Sequence, residues 1–166
     1  MIVCDTTPIS NLIHLDRLYL LDVMFGRVHI PPAVKVELDV NFKTSKSWIE
    51  SLSQRTIIVK SVSNELLIEQ MIPSIHAGEA EAICLAMEND AKLIVIDDRD
   101  GRQVAHANRL QTIGTLGMLL HARNKGVIES VKPLMDKLID EHHFWIKREL
   151  YHKILHLSNE MPVNIY

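Results

Sequence analysis

The residues of this chain that could do chemistry are carboxylates set directly after apolar runs. Ile2-Val3-Cys4 leads into Asp5, and Leu93-Ile94-Val95-Ile96 leads into Asp97-Asp98. Short apolar runs bounded by turn residues read as buried strands, and ligands of open parallel sheets collect at the carboxyl ends of strands. Either acid alone is equally explained by loop solvation or by capping a following helix. Glu79 alters the balance. It opens an Ala-rich helical segment, 79–88, just before the second apolar run. The start of that helix and the end of the next strand fall on the same side of a sheet, so Asp5, Glu79 and Asp98 can converge on one rim. A helix N-terminus favours an anion by roughly 0.3–1 kcal/mol, which would account for Glu79 without any site.

Such convergence is costly without a cation. Two carboxylates ~5 Å apart repel by roughly 3 kcal/mol at an effective dielectric of 20, and further acids push pKa values upward. A hard divalent ion removes the cost, and all-oxygen ligands suit Mg2+ or Mn2+. A second ion ~3.5–4 Å away would allow two-metal phosphodiester cleavage.

The elements that must position these acids follow from the pattern. Residues 2–4 are expected to form a strand, followed by a helix with Thr7 as cap, Pro8 in its first turn, and Ile9, Leu12, Ile13 and Leu15 along one face. A short helix over 18–25 stops at Gly26. Val28-His29-Ile30 reads as a strand ended by Pro31 and Pro32, with a helix over 33–40 carrying Glu37. Residues 41–53 are polar and weakly patterned apart from Trp48, Ile49 and Leu52. A strand over 56–59, a helix over 63–71 capped by Ser63, the 79–88 helix and the 92–96 strand come next. Asp100-Gly101 reads as a turn, with a helix from 102. Thr112-Ile113-Gly114 is a last strand, and helices are expected over 115–125, 131–139 and 147–157. Strands alternating with helices indicate an α/β domain with a mainly parallel sheet.

Composition narrows the classes. The 166 residues are 47% hydrophobic and 23% charged, enough for one domain with its own core. Cys4 and Cys84 lie in apolar runs without metal or redox spacing, as expected of reduced core residues in a cytoplasmic protein. The start has no signal-peptide pattern and no window suits a membrane span. A net charge of −3 gives no broad nucleic-acid footprint, but leaves room for phosphates held through cations. The nine histidines are scattered, among them His76, and no H-E-x-x-H motif occurs. His152 and His156 have helical spacing without an evident third zinc ligand. No dinucleotide, P-loop or nucleophile-elbow glycine motif is present.

At its acids the sequence resembles the PIN-domain nucleases. Ile2 to Leu12, with Asp5 and Thr6-Thr7-Pro8, is similar to the family's opening strand, acid, hydroxyl residue and helix. Ile30-Pro31-Pro32-Ala33-Val34-Lys35-Val36-Glu37-Leu38 is similar to its second element, Gly78-Glu79-Ala80-Glu81-Ala82-Ile83 to its third, and Leu93 to Arg99 to its fourth. The likeness covers residue 1 to about 125 and is greatest to a bacterial and archaeal branch related to the VapC toxins of toxin–antitoxin pairs. Gly114 to Leu119 and Val131 to Met135 share it.

The resemblance implies a three-layer α/β/α sandwich with a four- or five-stranded, mainly parallel sheet. It describes one domain over 1–166, with a core over 1–125 and a helical extension over 126–166. It implies Asp5, Glu37, Glu79 and Asp98 as the catalytic acids, with Asp5, Glu79, Asp98 and Asp97 around Mg2+ or Mn2+. The choice among Asp97, Asp98 and Asp100 stays open, and Glu81 competes with Glu79.

The implied activity is metal-dependent cleavage of single-stranded RNA, with a small antitoxin protein as partner. Thr6 or Thr7 could bind water or phosphate, and Arg99 and Arg102 could contact RNA backbone; a turn residue and a solvated helix face are the plainer readings. Trp48, Phe144 and Trp145 suit base stacking or simple packing. The alternative function is a catalytically weak protein that binds nucleic acid or antitoxin. The many apolar residues of 9–25 suggest a homodimer.

Overall fold

The computed structural model describes residues 1–161. Five short strands form one sheet: β1 (Ile2–Cys4), β2 (Val28–Ile30), β3 (Ile57–Val59), β4 (Leu93–Val95) and β5 (Thr112–Ile113). Between them lie α1 (Thr6–His14), α2 (Leu20–Phe25), α3 (Pro32–Phe42), α4 (Lys46–Ser53), α5 (Glu65–Met71), α6 (Ala77–Glu88) and α7 (Arg99–Ala107). They are followed by α8 (Thr115–Asn124), α9 (Lys132–His142) and α10 (Arg148–Leu157). All pairings are parallel, in the order β3-β2-β1-β4-β5. The chain therefore winds outward from β1 through β2 and β3, then resumes on the other side of β1. The point where the order reverses lies between β1 and β4. Cys4 is opposite Val95, and the Asp5 N–H donates to the Val95 carbonyl at 2.9 Å. This bond brings Asp5 to the edge at which Ile96, Asp97 and Asp98 emerge.

β1 and β4, at the centre of the sheet, are apolar without interruption because both faces are covered. Val3, Ile94 and Ile96 pack into one cluster with Ala80, Ile83 and Cys84 of α6, while Cys4 and Val95 alternate to the opposite face and are also fully buried. Helix α6 is buried along nearly its whole length and touches β1, β4, α3, α5 and α7. Its small Ala side chains permit that close approach. Both cysteines are free and buried. Of the apolar residues over 9–25, Ile9, Leu12, Ile13, Leu15, Leu18, Leu20 and Leu21 are spent in the core, and Tyr19 and Val23 remain exposed.

Local hydrogen bonds shift several expected boundaries. Helix α1 starts at Thr6 with Asp5, not Thr7, in the cap position. The cap of α5 is Asn64, whose side chain accepts from the Leu67 N–H at 3.1 Å. Residues 99–101, expected as a turn, are the first turn of α7, because the Asp98 carboxylate takes the amides of Asp100 and Gly101 at 2.8 Å each. Helix α4 was hidden in the weakly patterned stretch. Ser45 caps it, and Trp48, buried rather than offered for stacking, donates from Nε1 to Asp39 at 2.9 Å.

Contacts divide the chain into two compact units, Met1–Thr115 and a second beginning at Leu116. In the second, Glu160 accepts from the Val131 and Lys132 amides at 2.8 Å, at the start of α9. Asp136 accepts from the Tyr151 hydroxyl at 2.6 Å, joining α9 to α10. Trp145 is exposed, with Lys147 Nζ 6.0 Å from its ring centroid. Among the described residues no helix is long and apolar enough to cross a membrane.

Within the first unit one acid acts as a tie. Asp97 accepts from the Thr115 N–H at 2.7 Å, the Thr115 hydroxyl at 2.5 Å and Asn11 Nδ2 at 3.1 Å. Asn11 and Thr115 are themselves buried, so removal of the carboxylate strands their donors. Asp97→Ala is expected to destabilise the protein by about 2–4 kcal/mol, read from the urea unfolding midpoint. A loss below ~0.5 kcal/mol, the usual range of surface changes, would show that the tie contributes little.

Candidate metal centre

Four acids from four different segments meet above the β1–β4 edge. Asp5 ends β1 and is buried. Glu79 lies in the first turn of α6, buried, its Oε2 accepting from the His76 N–H at 3.2 Å. Glu37 reaches in from α3, and its Oε2 accepts from the Thr6 hydroxyl at 2.5 Å. Asp98 caps α7. Asp5, Thr6, Thr7, Glu37, His76 and Glu79 line a recess of about 470 Å³. A smaller one of about 250 Å³ is lined by Ile72 to Ile75 together with His76, Glu79, Asp98 and Asp100.

A glycine makes room for one of the carboxylates. A Cβ on Gly78 would lie 2.6 Å from Glu37 Oε1. One on Gly101 would lie 2.7 Å from Ile96 Cδ1 and in ordinary contact, at 3.4 Å and 3.6 Å, with Glu79 Oε2 and Asp98 Oδ1. The first turn of α6 is thus bare backbone where Glu37 approaches.

The electrostatics follow from crowding. Burial, reinforced by the Glu79 and Glu37 charges, pushes the Asp5 carboxyl up to about 7, against the opposing pull of the Thr6 and Thr7 backbone. Burial also raises Glu79, with Asp98 and Glu37 adding to the effect and His76 opposing it. Neither recess is lined by Lys or Arg among the described residues.

The other expected site residues are placed as follows. Thr6 orients Glu37, and Thr7 lines the larger recess. Asp97 lines neither recess; its oxygens are engaged by Asn11 and Thr115. Glu81 accepts from the Ala33 N–H at 3.0 Å, at the start of α3, which separates it from Glu79. Arg99 is exposed on α7, and Arg102 sits beside Asp97 and Gly114, offsetting part of the burial effect on Asp97. Neither arginine lines the recesses. His76 was not singled out by the sequence reading, although its place three residues before Glu79, at the head of an Ala-rich helix, was a usable signal.

The donor set fits a hard divalent cation: four carboxylates with two hydroxyls nearby, no Lys or Arg in the lining among the described residues, and a buried acid whose carboxyl is raised by burial and by its acidic neighbours. Among the described residues, however, no three His, Cys, Asp or Glu side chains stand close enough to hold an ion as they are. Gathering them requires side-chain movement, which the carboxylates of Glu37 and Glu79 can supply by rotamer change.

Two expectations follow. Between the ordinary Asp value of 3.8 and about 7, native Asp5 keeps a proton that the unfolded chain has released. Stability of chelator-treated protein should therefore fall as pH rises through that window, by on the order of 1 kcal/mol per unit. Asp5→Asn should lack this component and melt higher than the parent at pH 8; parallel pH dependences of the two melting temperatures would exclude Asp5 as the source. Gly78→Ala should swing the Glu37 carboxylate aside with little effect on melting, since only a flexible side chain is displaced. Mn2+ affinity by calorimetry should weaken about tenfold or more, and an unchanged affinity would remove Glu37 from the ligand set.

The chain matches the PIN domain family over residues 1–160. No curated protein and no solved structure matches it. PIN domains are typically nucleases and commonly use divalent metals. The all-parallel five-stranded sheet flanked by helices is the arrangement expected of that fold, and by the extent of the match this chain belongs to the PIN domain family.

Proposed function

We propose that this protein is an Mg2+- or Mn2+-dependent endoribonuclease that cleaves single-stranded RNA. The observation that carries the reading is the buried Asp5, raised to about 7 beside Glu79 and Glu37 in a recess without a Lys or Arg. A site built only for packing has no reason to bury a carboxyl beside two further acids. Asp5, Glu37, Glu79 and Asp98 hold the cation, which when bound supplies Lewis acidity and lowers the pKa of water for attack on phosphorus.

The chain's own residues prepare the site. The Thr6 hydroxyl fixes one Glu37 oxygen, the His76 amide fixes one Glu79 oxygen, and the amides of α7 fix Asp98. In each acid the second oxygen is left for the ion. Burial of Asp5 keeps bulk water from screening the charges. In a toxin–antitoxin setting a small antitoxin protein would block this cleft, and a short reading frame adjacent to the gene would support that role.

A second reading, a catalytically weak nucleic-acid- or antitoxin-binding protein, is favoured by the absence of a ready-made ligand triad among the described residues. Turnover separates the two. Highly purified protein with Mn2+ should cleave a single-stranded oligoribonucleotide, and EDTA should stop it. Asp5→Asn and Asp98→Asn should each lower the rate roughly a hundredfold or more. Glu81→Gln should stay within about threefold, because Glu81 serves α3 and not the cleft. Undiminished cleavage by either Asn variant, or cleavage in EDTA, would end the nuclease proposal.

A further inference from the structure

Two recesses meet at one side chain. His76 lines both the 470 Å³ recess of Asp5, Thr6, Thr7 and Glu37 and the 250 Å³ recess of Ile72, Pro73, Ser74 and Asp98. Glu79 is also common to both, but it brings negative charge. Among the described residues of either lining, His76 alone carries a side-chain nitrogen donor; the other polar groups are carboxylates and hydroxyls. It is exposed, so its imidazole faces solvent rather than the core, and it stands at the head of the twelve-residue helix α6, where the helix dipole adds positive potential. Its backbone N–H holds Glu79 Oε2 and, in the reciprocal half of the capping box, one ring nitrogen takes the Glu79 backbone N–H, which leaves the other ring nitrogen outside both bonds.

A phosphodiester entering this cleft is an anion approaching carboxylates. Bound cations answer the oxygen that faces the acids. The oxygen that faces the second recess needs a donor from the protein, and among the described side chains lining the smaller recess the Ser74 hydroxyl and the His76 ring can donate. We propose that His76 is a substrate-contacting residue, its ring N–H donating to a non-bridging phosphate oxygen of the RNA strand at the junction of the two recesses. The inference rests on the ribonuclease reading and deepens it. A neutral imidazole keeps one N–H and a protonated one keeps two, so the contact operates in either form. An interaction of this kind, made to substrate and transition state alike, appears in KM and not in kcat.

The test compares His76→Ser with His76→Gln in the full chain. Ser is a strong helix cap, so α6 is preserved, but its hydroxyl is too short to reach the junction; Gln keeps an N–H donor on a longer arm. With a fluorescent single-stranded oligoribonucleotide and Mn2+, His76→Ser should raise KM about tenfold, with kcat within about threefold and an unchanged melting temperature. His76→Gln should recover most of that loss. Binding of the same oligonucleotide to Asp98→Asn protein, with and without His76→Ser, should show the same weakening where cleavage is slowed roughly a hundredfold or more. An unchanged KM in a cleaving His76→Ser enzyme overturns the role of His76 and leaves the nuclease reading intact. A drop in kcat alone, or a Gln variant no better than Ser, overturns it too. Wild-type protein that neither binds nor cleaves the RNA removes both. If His76→Ser melts lower, the His76→Gln comparison at matched stability decides.

Discussion

Repulsion among carboxylates is the constraint around which the first unit is built. Asp5, Glu37, Glu79 and Asp98 come from separate parts of the chain and reach one edge of the sheet. Each close pair costs a few kcal/mol at most in a partly screened setting, on the order of 3 kcal/mol at ~5 Å. Among the described residues no Lys or Arg lines the cleft to offset it. The fold tolerates the cost by distributing it: Asp5 takes up a proton, Glu79 shifts part of the way, and the oxygens of Glu37 and Asp98 bind a hydroxyl and helix amides.

The sheet order is what makes the gathering possible. β1 and β4 are neighbours at the reversal of winding, so Asp5 and the Asp97-Asp98 pair emerge side by side although more than ninety positions apart along the chain. Helix α6, made of small residues, packs tightly enough on both strands to bring Glu79 over the same edge. Gly78 then leaves the space that the Glu37 carboxylate occupies, and Gly101 the space that Ile96 Cδ1 occupies. Adjacent acids thereby acquire different duties. Asp98 opens a helix beside the cleft, while Asp97, one residue earlier, ties α1 to Thr115 through Asn11 and the Thr115 amide and hydroxyl. Both acids follow the end of β4 at Val95, and it is the different donors on either side of the chain there that separate them.

Local pattern alone carried a large part of the molecule. Unbroken apolar runs marked β1 and β4, because strands buried on both faces have no polar face to display. Gly26 and Pro31-Pro32 marked element ends, and both were found there, Gly26 with a positive φ of 70°. Helix α4 escaped because eight residues with one buried Trp leave too short a period to recognise, and the start of α7 escaped because Asp98-x-Asp100-Gly101 has the composition of a turn. The identity of acids at strand ends and at the head of the 79–88 helix, and the family they point to, were likewise legible along the chain.

Distance through space was not. Which of Glu79 and Glu81 faces the cleft, which of Asp97 and Asp98 is spent on the fold, and that His76 stands where two recesses meet are decided by packing between α3, α6 and the β1–β4 edge. Those contacts join residues far apart in sequence, and a side chain's surroundings there depend on partners that no local window contains. The linear order thus determined what chemistry the chain could carry, and the tertiary structure alone decided which atoms are left to carry it.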